Sequence, residues 1–158
     1  MAADYIEKAV ASVADYLSTN LPAELRQVET DQGLLSGALE NPAQVLAYKA
    51  VEDTTSPAIQ VYCTSGRQVN PNSGLFVFDI DAIFMLTHNA NMGEGATKAR
   101  RYATAILRCI GKAPTLGSTV SGAFVTDLDP LILQGPDSNL RHLYGFGLEV
   151  TIHSPLTC

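Results

Sequence analysis

Asp79 and Asp81 flank Ile80. On a strand they share one face, about 7 Å apart. Glu149 has the same outward parity on a later stretch and joins them if the two strands pair. Three such carboxylates could hold a divalent cation. No ligand loop and no fourth ligand accompany them, so the set reads as a solvated or partner-facing sheet surface, and no metal site is expected. Asp127-Leu128-Asp129 repeats the pattern but runs into Pro130, which reads as a turn.

The other reactive types offer less. His88, His142 and His153 share no short motif. His88 and His142 have core parity but sit at strand ends, the place of a hydrogen-bonded rim residue. Their spacing from Cys63 does not make a zinc site. Gly93-Glu94-Gly95-Ala96-Thr97-Lys98 opens a helix after a strand, as phosphate loops do. It lacks the four-residue gap and the Gly-Lys-Ser/Thr ending, and Glu94 would repel a phosphate. No Gly-x-Ser-x-Gly elbow and no Cys–His pairing is apparent. The expectation is no catalysis and no cofactor.

Basic residues cluster once, at Lys98, Arg100, Arg101 and Arg108. The plain reading is a solvated helix face. The sharper one is a contact with an acidic neighbouring subunit through Asp79, Asp81 or Glu149.

These residues need elements to hold them. Ile6, Ala9, Val10, Val13, Ala14 and Leu17 recur at helical spacing, which predicts a helix over 4–19, capped by Asp4 and closed at Asn20-Leu21-Pro22. A short further turn over 23–31 can follow. Residues 44–52 fit a strand or a short helix. A strand follows Ser56-Pro57, with Ile59, Val61 and Cys63 on one face. Residues 64–74 read as a long polar loop or hairpin tip containing Arg67 and Asn70. The strongest strand is 75–88, with Phe76, Phe78, Ile80, Ala82, Phe84 and Leu86 on one face. Its length suggests one arm of an extended hairpin.

A second helix starts at Asn91 and ends at Gly111, with Ala96, Ala99, Tyr102, Ala103, Ile106, Leu107 and Ile110 as its apolar stripe. A Pro/Gly/Ser/Thr loop fills 112–119. Strands are expected at 120–125, at 131–133 and at 141–153, the last alternating Tyr144, Phe146, Leu148, Val150 and Ile152 with Gly145, Gly147, Glu149 and Thr151. Phe76, Phe78, Ile80, Phe84, Phe146, Leu148 and Val150 form the expected core. Helix, strands, helix, strands predicts an α+β domain, mainly an antiparallel sheet with two principal helices on one face and long strand or loop extensions.

Composition narrows the function classes. The 158 residues suit one domain, 1–158. A net charge of −6 argues against a protein that coats DNA with a basic stripe. Charged residues are 16%, below the usual roughly 25%, which hints that partners cover part of the surface. Three cysteines and no Cys-x-x-Cys suit a reducing compartment and thiols used as small hydrophobes. No apolar run is long enough for a membrane helix, and the start does not look like a signal peptide.

The succession of these elements resembles a known family. A helix leads to the short strand Ala58–Cys63, then to a long strand ending Thr87-His88-Asn89. The Glu- and Ala-containing helix Gly93–Ile106 follows, and Leu143–Val150 closes the pattern. Together with the length, this resembles the tail terminator and neck proteins of long-tailed bacteriophages, over nearly the whole chain. The motifs are patterns of size and apolarity.

The resemblance implies a structural virion protein, assembled in the host cytoplasm and placed in the tail or neck. It implies a ring of copies, typically a hexamer, that caps the tail tube, stops its polymerisation and joins a head–tail connector. Genomic DNA would pass through the bore without sequence-specific binding, and an acidic lumen would let it slide. Arg67, Asn70 and Asp137, in the 64–74 and 134–140 segments, then become candidate contacts, as does the 112–119 loop. Asp79, Asp81, Glu149, Arg100 and Arg101 become candidate contacts between ring neighbours. Alternative readings are another neck, head-completion or tail tube protein, or a small ligand- or metal-binding α+β domain.

Overall fold

A computed structural model of the chain describes residues 2–48, 56–88, 92–134 and 140–153. The elements in order are α1 (Ala2–Asp31), β1 (Gln44–Leu46), β2 (Ala58–Gln68), β3 (Leu75–His88), α2 (Met92–Gly111), β4 (Gly122–Gln134) and β5 (Leu140–His153). The strands form one sheet in the order β1-β2-β3-β5-β4. Only the short β1–β2 pair is parallel. This is the expected α+β class. Among the described residues no helix is long and apolar enough to cross a membrane.

The first helix does not stop at Pro22. It runs to Asp31 with Pro22 inside it. A proline in a helix interior costs about 3 kcal/mol. Beyond it, Leu21, Leu25 and Val28 continue the stripe of Val13 and Leu17, and all are buried. Each such side chain is worth about 1.5–3 kcal/mol when buried, so the stripe outweighs the proline. Because the helix begins at Ala2, Asp4 lies in its first turn and is not its cap.

The sheet core follows the alternation. Phe78, Ile80, Ala82, Phe84 and Leu86 of β3 and Phe146, Leu148, Val150 and Ile152 of β5 are buried beneath the helices. Phe76 is half-buried and stacks on Tyr5 of α1, with ring centroids 5.2 Å apart. On α2, Leu107 faces outward. Ala105 and Cys109 are buried instead. Cys109 lies near Tyr16 and Glu24 of α1, and burial pushes its thiol up to about 12. It thus serves as a small hydrophobe. Cys63 is half-buried, and Cys158 lies outside the described residues.

Two expected loops are strand. β2 continues to Gln68 through a shift in register between Cys63 and Ser65, so the turn to β3 spans only 69–74. The expected strands at 120–125 and 131–133 are one strand, β4, with a bulge between Val125 and Asp127 and Pro130 opposite Tyr144. β4 is the last strand of the sheet, the position in a sheet where proline is tolerated. Asp127-Leu128-Asp129 therefore lies on a strand and not in a turn.

His142 is also corrected. It is buried, not at a rim, and packs against the first turns of α2. The space is available because residue 95 is glycine: a Cβ there would stand 2.3 Å from His142 Nε2. The side chain of His88 lies outside the described residues, and His153 is exposed.

Candidate interface: an acidic sheet face and an arginine groove

The helices cover one face of the sheet, and the other face collects the acids. The register sets Asp79 directly opposite Glu149, and Asp81 opposite Gly147. On the far side of β5, Asp127 and Asp129 are opposite Gly147 and Gly145. With glycine at 147 the Asp127 carboxylate can lie over β5; a Cβ there would stand 1.9 Å from Asp127 Oδ1, and this exposed side chain would have to turn away. Five carboxylates thus share one sheet face. Ile83, Met85 and Leu143 lie half-buried among them, and Phe124 on the same face is 53% exposed.

Local donors hold part of this row. The Ser65 hydroxyl donates to Asp79 Oδ2 at 2.5 Å, and the Thr64 hydroxyl to the Asp79 carbonyl at 3.1 Å. The Thr126 hydroxyl donates to Asp127 Oδ1 at 2.8 Å. Arg67 reaches Glu149 at 3.9 Å, a loose pair between partly exposed groups that adds little stability. Sequence reading set Arg67 in a loop apart from Glu149; the longer β2 brings them together. No three His, Cys, Asp or Glu side chains converge as metal ligands among the described residues.

Like charges directly opposite one another on paired strands destabilise the pair. Asp79→Asn should therefore leave thermal stability unchanged or raise it by up to about 1 kcal/mol. A loss above that in a denaturant titration would mean the carboxylate is needed by the fold itself and not kept for a surface role.

The basic cluster sits on the other side of the molecule. Arg100, Arg101 and Arg108 of α2 and Asp31 and Gln32 at the end of α1 border a groove of about 230 Å³. Arg108 is taken up by Asp31 at 2.8 Å. That bond, joined by one from Gln27, holds the Asp31 carboxyl below its ordinary value. Arg100 donates to the Thr97 hydroxyl at 3.1 Å. Among the described residues neither Arg100 nor Arg101 makes an ion pair. Asn70 is exposed in the β2–β3 turn, where its carbonyl accepts from Ser73. Asp137 lies outside the described residues.

Sequence reading missed one polar cluster. Glu29, only 2% exposed, accepts the Leu39 N–H at 2.7 Å and pairs with Arg26 at 2.8 Å. Arg26 donates to the Leu39 carbonyl, and the Tyr102 hydroxyl donates to the Glu40 carbonyl at 2.6 Å. These bonds tie the α1–β1 connection to both helices. A glutamate on the apolar side of α1 was the only signal in the sequence. The chain matches no protein-family model and no curated protein.

Proposed function

We propose that the chain is a structural protein of a tailed phage, a tail terminator that assembles into a ring on the end of the tail tube. Its work is recognition without covalent chemistry. The observation that carries the reading is the segregation of charge: a five-carboxylate sheet face on one side and, on the other, two arginines that make no ion pair among the described residues. Unlike patches on different sides of one subunit suit head-to-tail contacts, which form a ring when the rotation between neighbours closes. The half-buried apolar residues within the acidic face fit a surface that a partner covers. The succession of elements resembling terminator and neck proteins supports the same reading. Ring neighbours then meet through Arg100 and Arg101 on one side and Asp79, Asp81 and Glu149 on the other, with the β2–β3 turn free to meet the tube or the connector.

Tube growth tests this. Added to polymerising tail tube subunits, the chain should arrest growth and shorten the tubes in proportion to its amount. Tubes of undiminished length would sink the reading. Long tubes formed by the chain alone would make it a tube subunit.

A further inference from the structure

The groove between the two helices carries more positive charge than the chain neutralises there. Arg100, Arg101 and Arg108 of α2 line it with Asp31 and Gln32 of α1, and every residue of its lining is described. Asp31 is taken by Arg108. Arg100 spends one N–H on the Thr97 hydroxyl, and neither it nor Arg101 has an ion pair among the described residues. Neighbouring guanidiniums repel one another unless an anion lies between them. Their planar forks suit a carboxylate, which can accept a bidentate pair of N–H bonds.

The sheet decides which carboxylate can enter. Asp79, Asp81 and Glu149 stand on β3 and β5, which are inner strands. The middle of a sheet face cannot be lowered into a cleft between two helices. Asp79 and Asp127 are also held by the Ser65 and Thr126 hydroxyls, and Glu149 has Arg67 within 3.9 Å. Asp129 differs on both counts. It is exposed, and among the described residues its carboxylate makes no ion pair or hydrogen bond. It stands on β4, the last strand of the sheet, where a side chain can lean off the edge. Pro130 keeps Asp129 extended and has no N–H to offer an incoming strand. A bulge between Val125 and Asp127 breaks the edge just before it. Charged residues, a proline and a bulge are the devices that keep an edge from adding further strands. This edge therefore presents a carboxylate and not a backbone ladder.

We infer that the arginine groove receives Asp129 of a second copy of this chain, set between Arg100 and Arg101. One chain carries both halves of the contact: a basic cleft with donors to spare, and an unpaired edge carboxylate. The rest of the acidic face surrounds that carboxylate and steers a basic surface toward it. The groove opens on the helix layer and Asp129 lies on the opposite face of the sheet, so the contact is head-to-tail. The inference rests on the self-assembly in the proposed function and names the carboxylate that fills the groove.

Light scattering and sedimentation velocity on purified chains test it. The wild type should form an oligomer larger than a dimer. Asp129→Arg should weaken assembly roughly thirtyfold or more, as when one partner of a desolvated charge pair is lost. Arg100→Glu combined with Arg101→Glu, which reverses the sign of the groove, should do the same. Asp129 and Arg100 are exposed and Arg101 is half-buried, so both variants should melt close to the wild type. The decisive sample is their mixture. The Asp129→Arg chain keeps a basic groove for Asp129 of the other chain, and the other chain's acidic groove accepts the arginine introduced at position 129. Two chains that fail to assemble alone should therefore assemble together, a rescue that damage to the fold cannot produce. Three results overturn the inference: a monomeric or strictly dimeric wild type, either variant assembling normally, or a mixture that stays unassembled. Tube-growth arrest reads the terminator function separately. A chain that arrests tubes while Asp129→Arg still assembles refutes this contact and leaves that function standing. A groove variant that assembles normally but no longer arrests tubes would assign the groove to the tube and refute the contact as well.

Discussion

Phe84→Ala should cost about 3–5 kcal/mol, the largest single loss in the molecule. Phe84 is fully buried at the centre of β3, paired with Ile59 on one side and Tyr144 on the other. Its ring stacks on Tyr102 of α2, centroids 4.8 Å apart at 25°. The change removes apolar surface, opens a cavity beneath α2 and forfeits the stacking, worth about 0.5–1.5 kcal/mol beyond area. It also frees Tyr102, whose hydroxyl ties Glu40 and whose own ionisation burial pushes upward. Loss should therefore reach the α1–β1 loop. Denaturant titration should give a lower midpoint at unchanged slope. A loss under about 1 kcal/mol would mean that β3 does not carry the core.

The second large effect is at Glu29. Glu29→Ala leaves the Leu39 and Gly37 N–H groups and the Arg26 guanidinium without their shared acceptor. Buried groups stripped of partners destabilise strongly. The 33–40 loop should then be cut by protease well before the body of the protein, and the wild-type loop should resist. The pH dependence has a defined sign. The Leu39 N–H, then the Gly37 N–H and Arg26, hold the Glu29 carboxyl below its ordinary value against the opposing pull of burial. The unfolded chain thus takes up this proton at higher pH than the folded one. The carboxylate stabilises fully above the ordinary glutamate value of about 4.3 and loses that effect as pH falls through the lower folded value. Wild type should out-melt Glu29→Gln at neutral pH, and the gap should close under acid. A gap independent of pH would contradict the assignment.

Parts of this fold are legible in the sequence because the chain repeats itself. Every second residue is apolar from Phe76 to Leu86 in β3 and from Tyr144 to Ile152 in β5, a period-two stripe that suits a strand with one buried face. Both prolines misled, for one physical reason. Pro22 and Pro130 are local breakers, and each is overruled by something distant: a buried stripe continuing past Pro22, and a place on the sheet's last strand for Pro130. The acidic face was half visible. Parity places Asp79, Asp81 and Glu149 outward, but only strand register sets Asp79 against Glu149 and brings Asp127 and Asp129 beside them. The role of Glu29 was not legible, because the α1–β1 loop becomes ordered only when Arg26, Glu29 and Tyr102 meet it in three dimensions. The arginine groove was hidden likewise, since it exists only where the end of α1 lies beside α2.

Negative-stain imaging of the purified chain mixed with isolated tail tubes tests the central claim most directly. The terminator reading predicts ring-shaped caps seated at one end of the tubes, with no binding along their sides. Bare ends in the presence of excess chain, or decoration along the whole tube, would contradict it.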